Sequence, residues 1–385
     1  KFGENTPQNY GADFMGLMTM RTALAGSRNI PAIKAFFLAG GEDKVLNMAQ
    51  RLGIRTPAEQ KDVARQTNPD FQYGYPMAIG TAETPLLEMA QAYATFADGG
   101  TYRPLVTLLK VTDRNGNILP LPKPDNPQEV LDPRIAAQIT SILSDVNARP
   151  DNDYWKSILS VPGQQAAAKT GTSNKCLQWS ADQKDCKLRH PESTWTMGFS
   201  PSLITGVWVG NATSQSLYDK ADGLTTAAPI WHDYMTAAHK KLKPSVTAFT
   251  LPDGLTQPQI SRLSGQLASA CTPVELRTSD LFLKENTPTK DDTACVLMKV
   301  DKVTGLLASP ACPADAVEER PFFVPESEQP TRWPLWEQAV QDWAKAEMVK
   351  WDANETHSGS RLPLPLPPTK ECDPSLTPGR DTKPR

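Results

Sequence analysis

The chain has 385 residues, with 40 Lys plus Arg against 43 Asp plus Glu and a net charge of -3. That length exceeds one ordinary core and predicts two or more compact units. The near-neutral balance gives no electrostatic footprint for nucleic acid or an anionic membrane surface, and no apolar run reaches the ~18 residues that a spanning helix needs. The first residue is Lys1 rather than Met and no signal-peptide pattern follows it, so the expectation is a piece of a longer protein.

Residues 17–25 predict a short helix that stops before Ser27. Val45, Leu46, Ala49 and Leu52 share one helical face. Thr84-Pro85 predicts an N-cap followed by proline in the first turn, and Gly99-Gly100 ends that helix. Asp132-Pro133 opens another, with Ile135, Ile139, Ile142, Leu143 and Val146 inward. Residues 106–112 lead into Asn115-Gly116, a hairpin signal. Residues 166–172, 194–200 and 204–210 predict three neighbouring strands, the last two joined at Pro201-Ser202. Helices flanking an antiparallel sheet make this an α+β fold.

Proline then thickens, which sets a boundary at Pro244: residues 1–243 form the regular domain and the rest a small Pro-rich appendage. Within residues 244–332 the run from Ser264-Gly265 to Cys271-Thr272-Pro273 reappears as Thr304-Gly305 to Cys312-Pro313, an offset of 40. Two similar modules are expected, each ending in a Pro-Thr pair, Pro288-Thr289 and Pro330-Thr331. Residues 333–357 predict a Trp-rich helix whose stripe, Trp336, Val340, Trp343 and Glu347, docks on the neighbouring module. Residues 358–385 predict an extended, mobile Pro-rich tail.

The six cysteines show no CxxC spacing and the four histidines do not cluster with them, so no metal or cofactor is expected. An even count suits an oxidising compartment. The expected bridges are Cys176–Cys186 and one more drawn from Cys271, Cys295 and Cys312.

Two short motifs carry chemistry: Ser27-Arg28-Asn29 after a helix, and Lys169-Thr170-Gly171-Thr172 on a strand. Their flanks include Asn9-Tyr10, Gly16-Leu17-Met18-Thr19-Met20-Arg21, Ile30-Pro31-Ala32, Ile79-Gly80-Thr81, Trp195-Thr196-Met197-Gly198-Phe199 and Gly206-Val207-Trp208-Val209-Gly210. Over about residues 5–240 this pattern resembles the transpeptidase domain of class A penicillin-binding proteins, within the penicillin-binding protein and serine β-lactamase superfamily. The resemblance implies a serine-type D,D-transpeptidase that cross-links peptidoglycan stem peptides ending in D-Ala-D-Ala through an acyl-enzyme, with β-lactams as inhibitors. Cell-wall synthesis proteins are expected partners, and nucleic acid is not. It further implies that Ser27, Asn29 and Lys169 are catalytic, that Thr170, Gly171 and Thr172 bind substrate, and that the Thr172 N–H is an oxyanion donor.

The sequence departs from the family in two places. No lysine has a serine three positions before it, so the SxxK nucleophile is absent and the chain is expected to be inactive alone. Residues 175–192 are an insertion after the KTG strand. The resemblance places the protein on the outer face of the bacterial cytoplasmic membrane, anchored by a segment outside this sequence. Two rivals remain: a D,D-carboxypeptidase or β-lactamase-type hydrolase, and a non-catalytic β-lactam or wall sensor.

Overall fold

The computed structural model describes residues 7, 9, 14–181, 186–310, 312–325, 334–352 and 360–372. They form two units: Met20–Leu255 with residues 7 and 9, and residues 14–19 with 256–372.

The first unit begins with α1 (Met20–Ala25), α2 (Asn29–Leu38), α3 (Glu42–Arg51), α4 (Thr56–Thr67) and α5 (Leu86–Ala97). Four two-residue strands follow, β1 (Thr101–Tyr102), β2 (Val111–Thr112), β3 (Ile118–Leu119) and β4 (Gln128–Glu129). After α6 (Pro133–Ser144) and α7 (Asp153–Ile158) comes the sheet of β5 (Ala167–Trp179), β6 (Cys186–Phe199) and β7 (Ile204–Gly210), and α8 (Ala228–Leu242) completes the order. The sheet is antiparallel in the order β5-β6-β7, with β5 at an edge. Strand alternation sends Ala168 to one face, against Trp231 and Met235 of α8, and Ala167 to the other, with Phe199 and Leu143. This is the α+β architecture expected, helices flanking an antiparallel sheet.

Several local expectations shift. Helix α5 has Pro85 at its cap position and no side-chain cap bond, so Thr84 does not cap it. Asp132 does cap α6, accepting from the Arg134 N–H at 2.8 Å. The face that α6 buries runs through Ala136, Thr140 and Leu143, while Ile135 in its exposed first turn and Val146 beyond its end face solvent. Within the stretch 175–192, β5 runs on to Trp179 and pairs with β6 from Cys186, through register shifts at Ser173/Asn174 and around Gln178. Cys176 and Cys186 are bonded, their Cα atoms 5.7 Å apart. The boundary expected at Pro244 falls at Leu255, because the Gln165 N–H donates to the Thr247 carbonyl at 2.7 Å and Phe249 packs edge-on to Phe199 at 5.5 Å.

From Leu255 onward come β8 (Leu255–Thr256), β9 (Gln259–Ser261), β10 (Arg277–Ser279), β11 (Phe282–Leu283), β12 (Cys295–Asp301), β13 (Val317–Phe323) and α9 (Pro334–Asp352). The pairing Arg277↔Ser261 of β10 with β9 recurs as Val317↔Asp301 of β13 with β12. Backbone bonds recur at the same spacing: Arg262 N–H to Leu276 O and Ala268 N–H to Gln259 O become Lys302 N–H to Ala316 O and Ala308 N–H to Lys299 O. Leu267 bonds Lys290 O and the Asp292 N–H, as Leu307 bonds Lys370 O and the Cys372 N–H. Pro368-Thr369 therefore stands where Pro288-Thr289 does, and the pair expected there, Pro330-Thr331, lies outside the described residues.

That closure overturns the mobile tail as far as Cys372. Leu362 and Leu364 are buried with Phe323 and Ala344, and Trp343 meets Phe323 edge-on at 6.5 Å. Gly16, at φ +73°, lies so close under the Trp343 indole that a Cβ there would stand 2.2 Å from the ring. Two bridges occur here, Cys271–Cys295 and Cys312–Cys372, where one was expected. The second holds the position at which Thr272 Oγ1 donates to Asp292 Oδ2 at 2.7 Å, 40 residues earlier for Cys312 and 80 for Cys372.

Replacing Cys312 and Cys372 by alanine is expected to destabilise β12–β13 by about 4 kcal/mol, the chain-entropy value for a loop of this size. The pair Cys312→Thr with Cys372→Asp, which copies the earlier hydrogen bond, should recover about 2 kcal/mol. Hydrogen exchange at the buried Val300 amide reads both, and a Thr/Asp pair no better than alanine would contradict the equivalence.

Candidate active site

Helix α1 ends in two bonds, Ser27 N–H to Leu24 O at 3.1 Å and Arg28 N–H to Ala23 O at 2.9 Å. This is a Schellman closure, whose C′ residue sits in the left-handed region and is most often glycine. Here it is Ser27, at φ 54°. A non-glycine residue there costs about 1 kcal/mol or more. Arg21 ties α1 down through Nη1 to the Ser141 carbonyl and to Asp145 Oδ2, at 3.1 and 3.2 Å. Arg28 is extended and Asn29 is the first residue of α2. The Ser27 side chain caps neither helix.

Opposite stands Lys169 on β5. Its Nζ donates to Ser27 Oγ at 2.6 Å and to the Thr170 carbonyl at 2.7 Å, joining residues 142 positions apart. Burial pushes the Lys169 pKa down to about 8 from 10.5. An amine that titrates near neutrality can both hold and release a proton at Ser27.

Thr170 and Thr172 take the alternate face of β5. The Gly223 N–H donates to Thr172 Oγ1 at 3.1 Å, and a Cβ on Gly223 would stand 2.8 Å from Thr170 Cβ and from the Gly171 carbonyl. Gly223 starts the π-helical turn Gly223–Ala227, whose cap Asp222 accepts from Thr225 N–H. Thr172 keeps its hydroxyl proton for another acceptor. Cys176 and Cys186 lie further along β5 and β6, past the register shift at Ser173/Asn174. Sequence reasoning did not single out Arg21 for a role or Gly223 at all. The first shows only as a polar residue on α1, and the second as one glycine among 23.

An antiparallel sheet flanked by helices, with Lys-Thr-Gly on its edge strand, defines a penicillin-binding protein type of transpeptidase domain. The family profile described as Penicillin binding protein transpeptidase domain matches residues 3–236, and the chain belongs to that family. Penicillin-binding protein 1A of Rickettsia typhi is 30% identical over 304 residues, which cover 73% of this chain and 34% of that protein. Penicillin-binding protein 1A of Clostridium botulinum is 29% identical over 327 residues, 82% of this chain and 35% of the relative. The chain thus spans about a third of the length of these relatives. The crystal structure of penicillin-binding protein 1A from Haemophilus influenzae shares the fold, with a TM-score of 0.59 at 24% identity over 76% of this chain and 44% of that one. Among the described residues no helix is long and apolar enough to cross a membrane.

Two outcomes follow from this geometry. Ser27→Ala and Ser27→Gly both lose the hydrogen bond to Lys169, but only glycine relieves the left-handed strain. Urea titration should therefore find the glycine variant more stable by about 1 kcal/mol, the reverse of the usual order. The second concerns Lys169, which in the folded protein releases its proton near pH 8, whereas the unfolded lysine holds it to 10.5. The unfolded state then binds more protons in that window, so this residue's contribution to stability rises from pH 8 to 10.5 and is flat on either side. Lys169→Met should abolish that rise in unfolding curves taken across the window.

Proposed function

We propose that this chain supplies the proton-handling and substrate-binding half of a peptidoglycan D,D-transpeptidase of class A type. The observation that carries the reading is the 2.6 Å contact between Lys169 Nζ and Ser27 Oγ. A hydroxyl that accepts from an amine has its own proton free to donate. In the proposed reaction the acylating serine, which this sequence does not hold, attacks the penultimate carbonyl of a stem peptide ending in D-Ala-D-Ala. As it attacks, that serine gives its hydroxyl proton to the lysine of its own SxxK motif; the C–N bond then breaks and the departing amine takes the Ser27 proton, which Lys169 replaces. The amine of a second stem peptide then attacks the acyl-enzyme and gives its proton to Ser27 and so back to Lys169, while the released serine recovers its own from the SxxK lysine.

Other residues take supporting roles in this reading. Asn29, first in α2, offers an amide to the substrate's peptide group. The Thr172 hydroxyl proton is free for the terminal carboxylate, and Thr170 lies beside it. Gly171 leaves the edge of β5 open for an extended peptide to add as a strand. The Thr172 N–H serves as an oxyanion donor. β-Lactams enter as mimics of the same peptide. We further read residues 256–372 as two related modules, the second closed by 370–372, that contact wall polymer or a partner protein; the recurrent backbone bonds support the relation.

A fluorescent penicillin tests the central claim. The chain of residues 1–385 should form no covalent adduct, whereas a longer chain carrying SxxK should. In that longer chain Lys169→Ala should slow acylation by about 10²-fold or more, the usual value of a positioned proton-transfer group. Labelling of residues 1–385 alone would overturn the account.

A further inference from the structure

Helix α2 begins with a defect that the sequence does not repair locally. Of its first amides, Asn29 and Ile30 need partners, Pro31 has no N–H, and the Ala32 N–H reaches the Arg28 carbonyl at 3.3 Å. The cap position belongs to Arg28, whose side chain makes no cap bond. Arginine has no acceptor to offer. The Ile30 N–H instead donates to Asn9 Oδ1 at 3.1 Å, from 21 residues upstream. Asn9 is itself 7% exposed, so this amide is held inside the unit rather than resting on its surface. An asparagine oxygen on the second amide of a helix is the ordinary N-cap interaction, delivered here from elsewhere in the chain.

We propose that Asn9 is a positioning residue that caps α2 from a distance and thereby holds Ser27 against Lys169. Ser27 and Arg28 are the only residues between Gly26, where the closure of α1 begins, and Asn29, where α2 starts. Both helix ends must be fixed for a left-handed serine to keep one side-chain direction. Arg21 fixes the first end through Ser141 and Asp145, and Asn9 fixes the second. With the cap lost, the Ile30 amide turns to water, the first turn of α2 frays, and the Ser27 hydroxyl leaves Lys169 more hydrated.

The proposal rests on Ser27 and Lys169 forming the site, and its test reads that pair whether or not the chain turns over peptide. Chain 1–385 is labelled with ¹³C at lysine Cε, and Lys169 is titrated by NMR in the native protein, in Asn9→Ala and in Asn9→Asp, which keeps an acceptor at a helix N-terminus. Asn152→Ala, which removes the cap that Asn152 Oδ1 gives Trp155 N–H on α7, is the control for a lost cap elsewhere. The expected result is a Lys169 midpoint raised by about one unit or more in Asn9→Ala, as hydration is restored, with Asn152→Ala at the native value and Asn9→Asp keeping the Ile30 amide bonded. Exchange of the Ile30 amide should quicken at least tenfold in Asn9→Ala alone. If Asn9→Ala does not fold, Asn9→Gln, which displaces the oxygen by one methylene, carries the same comparison. A Lys169 midpoint that stays native when the acceptor is removed, or that moves equally in Asn152→Ala, overturns the proposal.

Discussion

The contact between the Lys169 amine and the Ser27 hydroxyl joins the two motifs of the first unit, and the turn and the strand around it hold it in place. Lys169 Nζ lies 2.6 Å from Ser27 Oγ, and burial lowers its pKa to about 8. In bulk water the amine would stay charged and the hydroxyl would exchange partners freely. Held between an edge strand and a helix-to-helix turn, the pair has a fixed direction and a proton affinity near the working range. The left-handed Ser27 is the conformational cost of aiming that hydroxyl.

The sheet supplies one side of that contact. Small residues precede Lys169, Ala166 just before β5 and Ala167 and Ala168 opening it, so both faces of the strand reach a core. Gly223 then lets the π-helical turn press against the Gly171 carbonyl and the Thr170 side chain. The strand is pinned from behind and open along its edge. Its continuation to Trp179, tied by Cys176–Cys186, stiffens that edge beyond the motif.

The parts legible in the sequence were those where local chemistry and tertiary packing agree. Asp132-Pro133 caps α6 in the structure as it does on paper, and the three strands around Lys169 pair as their alternation implies. Ser27 and Lys169 could be paired from their flanks alone. What stayed hidden depends on partners far along the chain. The Pro-rich run at 362–366 reads as extended tail until Phe323 and Ala344 cover its leucines. The cap of α2 is invisible locally because Arg28 cannot supply it and Asn9 lies 21 residues away.

In the second unit two returning segments are closed with different chemistry. At the earlier one Thr272 reaches Asp292 across 20 residues by a hydrogen bond of 2.7 Å, inside the span that Cys271–Cys295 also closes. At the later one the partner lies 60 residues on, because the helix Pro334–Asp352 and its flanks intervene. Closing the longer loop costs about 1 kcal/mol more in chain entropy, comparable to the whole net value of an ordinary hydrogen bond. A covalent link removes that cost from the folded state by imposing it on the unfolded one as well. Both spans are thus covalently closed, the shorter at Cys271–Cys295 beside its hydrogen bond and the longer at Cys312–Cys372 in place of one.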